Sequence, residues 1–182
     1  MIFTPLPLNG VFRIDPEKLR DDRGFFARGF CVEEFRRWNL RTHWAQMNLS
    51  FNERTGTLRG LHFQRPPAAE VKLVRCPRGA IWDVVVDLRS GSGGYGQWCG
   101  MELDAEDHAM LYVPEGFAHG FQTLRPETEV QYFVSVAYSP EHEGGLNFDD
   151  PDLAIDWPLP LTSISDKDRT QPFLKRIEPL SV

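Results

Sequence analysis

Cysteine is scarce and odd in number: Cys31, Cys76 and Cys99 stand far apart. That pattern argues against a disulfide framework or a thiolate zinc site, and for reduced thiols in a cytoplasmic setting. No apolar run reaches the roughly 18 residues that a membrane helix takes, so no membrane span is expected. The opening Met1-Ile2-Phe3-Thr4-Pro5 has no basic stretch followed by an apolar one, so it does not read as a signal peptide. Positive charge is not in excess either, with 20 Lys and Arg against 26 Asp and Glu and a formal net charge of -6. That balance argues against a nucleic-acid partner. It leaves room for a small anionic ligand, because salt screens charges beyond about 8 Å and a local arginine cluster can outweigh the whole. Internal repeats, low-complexity tracts and linkers are absent too. The 182 residues therefore read as one domain, 1–182.

What is present suits an all-β protein. Hydrophobic residues make up 41% and charged residues 25%, enough for a full core. Residues 1–15 mix Phe3, Leu6, Leu8, Val11, Phe12 and Ile14 with prolines, which predicts short strands. Asp21-Asp22-Arg23-Gly24 is a turn signal ahead of Phe25 and Phe26. Over 31–40, Val32, Phe35 and Trp38 recur every third residue among charges, which predicts one short amphipathic helix. Strands are expected at 43–50, 57–64, 71–76, 80–88, 96–103, 109–113 and 129–138. Pro77-Arg78-Gly79 reads as a tight hairpin connection, and residues 90–94 as a loop. The tail from Asp149 on is predicted to pack as turns and a short helix. Many short strands with regular turns mean a sandwich or barrel.

Two stretches carry chemistry. In Gly56-Thr57-Leu58-Arg59-Gly60-Leu61-His62-Phe63-Gln64, strand alternation puts Leu58, Gly60, His62 and Gln64 on one face and Arg59, Leu61 and Phe63 on the other. His62 then lines a pocket, or else is a hydrogen-bonded core histidine with Arg59 a surface charge. The second stretch, Pro114-Glu115-Gly116-Phe117-Ala118-His119-Gly120-Phe121, resembles the second signature of the cupin double-stranded β-helix, a jelly-roll barrel into which His119 would point. Metal cupins add His-x-His and a glutamate from the first signature. Here that place reads His62-Phe63-Gln64, a poor donor set, so no metal or other cofactor is expected.

From about Phe12 to Phe173 the chain resembles the dTDP-4-dehydrorhamnose 3,5-epimerase family. The marks run in order: Asp22-Arg23-Gly24-Phe25-Phe26, Gln46-Met47-Asn48-Leu49-Ser50, the stretch 56–64, Lys72-Leu73-Val74-Arg75, Trp82-Asp83-Val84, Val86-Asp87-Leu88-Arg89 and the stretch 113–121. Then come Tyr138-Ser139-Pro140-Glu141-His142-Glu143-Gly144, Ile155-Asp156-Trp157-Pro158 and Ser165-Asp166-Lys167-Asp168.

The resemblance implies epimerisation of a nucleotide-linked 4-keto sugar at C3, C5 or both. The ketone acidifies the neighbouring C–H bonds. A base on one side and an acid on the other can then exchange the proton through an enolate. By resemblance His62 is the base, Asp168 its partner and Tyr132 the acid. Lys72 and Asn48 serve the sugar and its O4. Arg59 holds the diphosphate, joined by Arg23 across a dimer interface, and His119 assists there or lines the pocket. Tyr138, Glu143, Gln46, Phe26 and Arg28 complete the expected substrate contacts, with Tyr132 and Tyr138 expected on one face of the strand 129–138.

The chain departs from the family pattern at three places. Arg28 stands where a glutamate is usual, Phe133 where a lysine is, and Ala137 where a tyrosine is. The catalytic set is thus expected intact and the nucleotide edge altered. The family is dimeric, with N-terminal strands exchanged, so a homodimer is expected. A metal-dependent cupin enzyme, a sugar 3,4-ketoisomerase and a non-catalytic sugar-nucleotide-binding cupin are the rival readings.

Overall fold

Residues 1–182 are described by a computed structural model. Thirteen strands follow in chain order: β1 Ile2–Pro5, β2 Phe12–Asp15, β3 Leu19–Asp21, β4 Gly24–Phe26, β5 Gln46–Asn52, β6 Leu58–Gln64, β7 Lys72–Arg78, β8 Ala80–Asp87, β9 Trp98–Asp104, β10 Met110–Val113, β11 Phe117–Thr123, β12 Thr128–Val134 and β13 Glu143–Gly145. Helices α1 (Val32–Arg37) and α2 (Asp166–Arg169) and a 3₁₀ turn at Leu174–Arg176 complete the set. No helix is long and apolar enough to cross a membrane.

Two antiparallel sheets face each other. One has the order β1-β2-β10-β7-β12-β5 and the other β13-β6-β11-β8-β9, while β3 and β4 form a separate hairpin. The all-β expectation holds.

The alternation of apolar residues explains the layering. Val74, Cys76, Leu111, Val113 and Val130 of the first sheet meet Ile81, Val85, Leu103, Phe117 and Phe121 of the second in one buried cluster between the sheets. The opposite faces are also covered. Leu61, Phe63, Val84, Val86 and Ala118 pack under Leu153, Ile177 and Leu180 of the tail. Ile14, Leu73, Met110 and Tyr112 pack under Phe35 of α1 and Phe3. Strands buried on both faces read as near-continuous apolar runs, and β8, Ala-Ile-Trp-Asp-Val-Val-Val-Asp, is one apart from Asp83 and Asp87.

Three expectations change. Pro77-Arg78-Gly79 is not a hairpin: β7 and β8 belong to different sheets, so this is a corner between them. Gly79 takes φ +82, and a Cβ there would sit 2.2 Å from Thr128 Oγ1. The strand expected over 129–138 stops at Val134. Finally, no strand is expected around His119, and the structure forms one there. It is β11, paired with β6 on one side and β8 on the other.

Candidate active site

The inward faces that make the core continue into the site. On β7, Lys72 follows the parity of Val74 and Cys76. On β12, Tyr132 follows Val130. On β11, His119 lies between Phe117 and Phe121. These side chains join Arg59, His62 and Asp168 around a cavity of about 680 Å³. A smaller adjoining cavity of about 130 Å³ shares His62, Lys72 and Tyr132 and adds Gln46, Asn48, Tyr138 and Glu143.

Arg59 corrects the alternation drawn from sequence. In the pairing with β11, His62 stands opposite His119 and Arg59 opposite Phe121, with a register shift between them. Three steps along β6 match two along β11. Such a bulge turns a side chain to the other face, and Arg59 reaches the His62 cavity. The bulge depends on glycine: Gly60 has φ +119, and a Cβ there would lie 2.6 Å from Gly120 Cα. Arg59 is held by Nε donating to Asn52 Oδ1 at 2.7 Å and Nη2 donating to the Phe51 carbonyl at 3.3 Å.

Asp168 arrives from the tail. Ser165 caps α2, its Oγ accepting from the Asp168 N–H at 3.1 Å. The Asp168 carboxylate, 4% exposed, meets His62 Nε2 through Oδ1 at 2.7 Å and accepts the Gly60 N–H through Oδ2 at 3.1 Å. Burial pushes this carboxyl up, but the His62 contact, the Gly60 N–H and Ser165 outweigh it, and the net position is below the usual range. It is ionised at neutral pH and only accepts. Nε2 of His62 therefore carries the proton, and Nδ1 keeps the lone pair a base needs.

The Tyr132 side is built differently. Burial is the first cause that pushes the Tyr132 hydroxyl above its ordinary value, with the Glu70 charge in the same direction and Arg59 and Asn48 opposed. The phenol holds its proton at neutral pH. Asn48 faces Tyr132 across the β5–β12 pair. Lys72, 7% exposed, lies 3.2 Å from Glu70 and donates to the His62 carbonyl at 3.4 Å, bridging the two sheets.

Tyr138 sits beyond the end of β12, not on the strand face shared with Tyr132, and is 55% exposed. It still reaches the smaller cavity from its loop. Its N–H donates to Gln46 Oε1 at 3.3 Å and its hydroxyl to Glu143 at 2.9 Å. The hairpin residues stand apart within one chain: Arg23 pairs with Asp21, and Arg28 pairs with Glu34 at 3.3 Å beside Phe26 in a separate hollow.

Sequence reasoning missed three side chains. Asp83, fully buried, meets His119 Nε2 at 2.6 Å. Lys167 lines the main cavity and pairs with Glu143 at 2.6 Å. Glu70 holds Lys72. Asp83 and Lys167 lay inside quoted motifs, but only the fold shows what they touch.

Comparison with known proteins decides the family. The model for dTDP-4-dehydrorhamnose 3,5-epimerase matches residues 5–176. The chain belongs to that family. A dTDP-4-dehydrorhamnose 3,5-epimerase from Sinorhizobium fredii is 47% identical over 175 residues, covering 96% of this chain and 90% of its own. A dTDP-4-dehydrorhamnose 3-epimerase from Streptomyces niveus is 43% identical over 171 residues, covering 92% and 82%. Among solved structures, a dTDP-6-deoxy-D-glucose-3,5-epimerase from Legionella pneumophila, in complex with dTDP-4-keto-L-rhamnose, superposes with a TM-score of 0.92 at 34% identity, covering 99% of this chain and 97% of that one. Family members are epimerases on the cupin-like barrel described above.

Proposed function

We propose that this chain epimerises a nucleoside-diphosphate-linked 4-keto-6-deoxy sugar at C3, C5 or both, as a cytoplasmic homodimer and with its own side chains as the catalysts. The observation that carries this reading is that His62 and Tyr132 reach one cavity from two different sheets.

His62 removes the proton next to the ketone. Asp168 orients the ring and stabilises the imidazolium that forms. The ketone oxygen gains charge as the enolate develops, and Lys72 and Asn48 receive it. Tyr132 then delivers a proton from the opposite side, and a stereocentre inverts. Arg59 takes the diphosphate, since a guanidinium fork binds two oxygens at once, with His119 beside it. Tyr138, Glu143 and Gln46 border the sugar end.

Arg23, Phe26 and Arg28 enter this account from a second copy. Their hairpin leaves Leu19, Phe25 and Phe26 exposed, as the β5 edge leaves Met47, Leu49 and Phe51. Apolar exposure of this kind supports an interface with a second copy.

The experiment is direct. The purified chain is incubated with dTDP- and UDP-linked 4-keto-6-deoxy sugars, and the ring protons are followed by NMR. Inversion at C3 or C5 with at least one nucleotide is expected. Binding without inversion of any of them would reduce the protein to a sugar-nucleotide binder.

A further inference from the structure

Glu70 stands in the turn between β6 and β7, and its side chain is 11% exposed. Its two oxygens have separate partners. Oε1 lies 3.2 Å from Lys72 Nζ, and Oε2 accepts from Gln64 Nε2 at 3.2 Å. Gln64 ties the same turn to the loop that carries Tyr138. Its Nε2 donates to the Ala68 carbonyl at 3.0 Å, and its Oε1 accepts the Ser139 N–H at 2.6 Å. Glu70 also lines the smaller cavity with His62, Lys72 and Tyr132. Burying a carboxylate costs free energy unless it is paired. Here the pairing falls on a cation of the site.

We propose that Glu70 is a positioning residue for the reaction: it holds the Lys72 ammonium in the cavity and keeps a negative charge beside Tyr132, so that the phenol stays protonated until the enolate forms. The inference rests on the epimerase reading above. The charged and titratable groups that line the two cavities with Tyr132 are Glu70 from the turn, Lys72 from β7, Arg59 and His62 from β6, His119 from β11, Tyr138 from the loop after β12, Glu143 from β13, and Lys167 and Asp168 from α2. Glu70, Glu143 and Asp168 are the carboxylates among them, and Asp168 is engaged by His62 and the Gly60 N–H. Glu143 is engaged by Lys167 and Tyr138, which leaves Glu70 as the one bound to the catalytic lysine. Its charge acts on Tyr132 in the direction that favours the neutral phenol.

The test is Glu70→Gln, which keeps the size and an oxygen for Lys72 but removes the charge. Wild-type turnover of the 4-keto sugar nucleotide is measured first. Without it the epimerase reading itself fails, whereas turnover that is insensitive to residue 70 sinks this inference alone. The expected result is a kcat lower by about 10- to 100-fold, the worth of one charge-assisted hydrogen bond, with KM nearly unchanged. The alkaline limb of kcat should move to lower pH. In a Lys72→Met background the same substitution should cost less than it does alone, because coupled groups are not additive. A fall in kcat with the limb in place would be structural and would overturn the proposal, as would full additivity. Should Glu70→Gln unfold, Glu70→Asp carries the test: the charge stays, so kcat should fall while the limb holds, and a moved limb would contradict the proposal.

Discussion

His62 and Asp168 are 106 residues apart in sequence and 2.7 Å apart in space. The contact exists because the tail returns to β6: the Leu58 N–H donates to the Ser163 carbonyl at 2.8 Å, and α2 starts three residues later. Asp168→Asn keeps the shape but replaces an acceptor with a group that can also donate. The imidazole then loses its fixed tautomer and the charge that steadies its protonated form. We expect kcat to fall by about 10²–10⁴-fold with the fold intact, as for other histidine–carboxylate pairs. Steady-state kinetics with circular dichroism checks this. Retained kcat would mean that Asp168 only anchors the tail.

Gly60→Ala should damage stability and site together. The φ of +119 disfavours an L side chain, and its Cβ would meet Gly120 Cα at 2.6 Å and the His119 carbonyl at 2.9 Å. Backbone strain and overpacking together cost about 2–4 kcal/mol. Urea unfolding should show that loss, while Gly29→Ala, which has open space around it, should leave the midpoint in place.

Acid stability follows from two buried carboxylates. Asp168 sits below its usual range for the reasons given above. For Asp87, burial pushes upward and is outweighed by Arg89 and Ser92. An unfolded aspartate titrates near ~3.9, so as pH falls the unfolded chain takes up these protons first. Their contribution is fully present above that value and is lost as pH drops through the folded values. The urea midpoint should fall between about pH 5 and about pH 3, and Asp87→Asn should flatten that slope. A midpoint independent of pH in this window would contradict the assignment.

The proposed dimer has its own test. Met47, Leu49 and Phe51 alternate on the outer face of β5, an edge strand. Met47→Lys, outside both cavities, should turn a sedimenting dimer into a monomer and raise KM, because Arg23 then no longer reaches a partner's site. A wild-type monomer with full activity would remove Arg23, Phe26 and Arg28 from the site altogether.

Much of the barrel was legible in the chain because its strands are short, apolar and bounded by Gly, Pro or Asp. What was not legible has local causes. Arg59 was assigned to the wrong face because a bulge depends on the partner strand, and no single strand shows it. β11 is hard to read because Ala118 and Gly120 weaken its strand character, yet Gly120 is what lets β6 approach: a Cβ there would meet the Arg59 carbonyl at 2.7 Å. Tyr138 was placed on a strand that ends at Val134. His62, Tyr132, Lys72 and Asp168 were named through the family likeness. The charges beside the site, Glu70, Asp83 and Lys167, show their partners Lys72, His119 and Glu143 only once the chain is folded.

The most direct test compares deuterium uptake with inversion in D₂O for the wild type, His62→Ala and Tyr132→Phe. The account predicts label at C3 or C5 with inversion for the wild type, and loss of both by about 10²–10⁴-fold in His62→Ala. It predicts continued uptake with impaired inversion in Tyr132→Phe. Wild-type uptake by His62→Ala would contradict it.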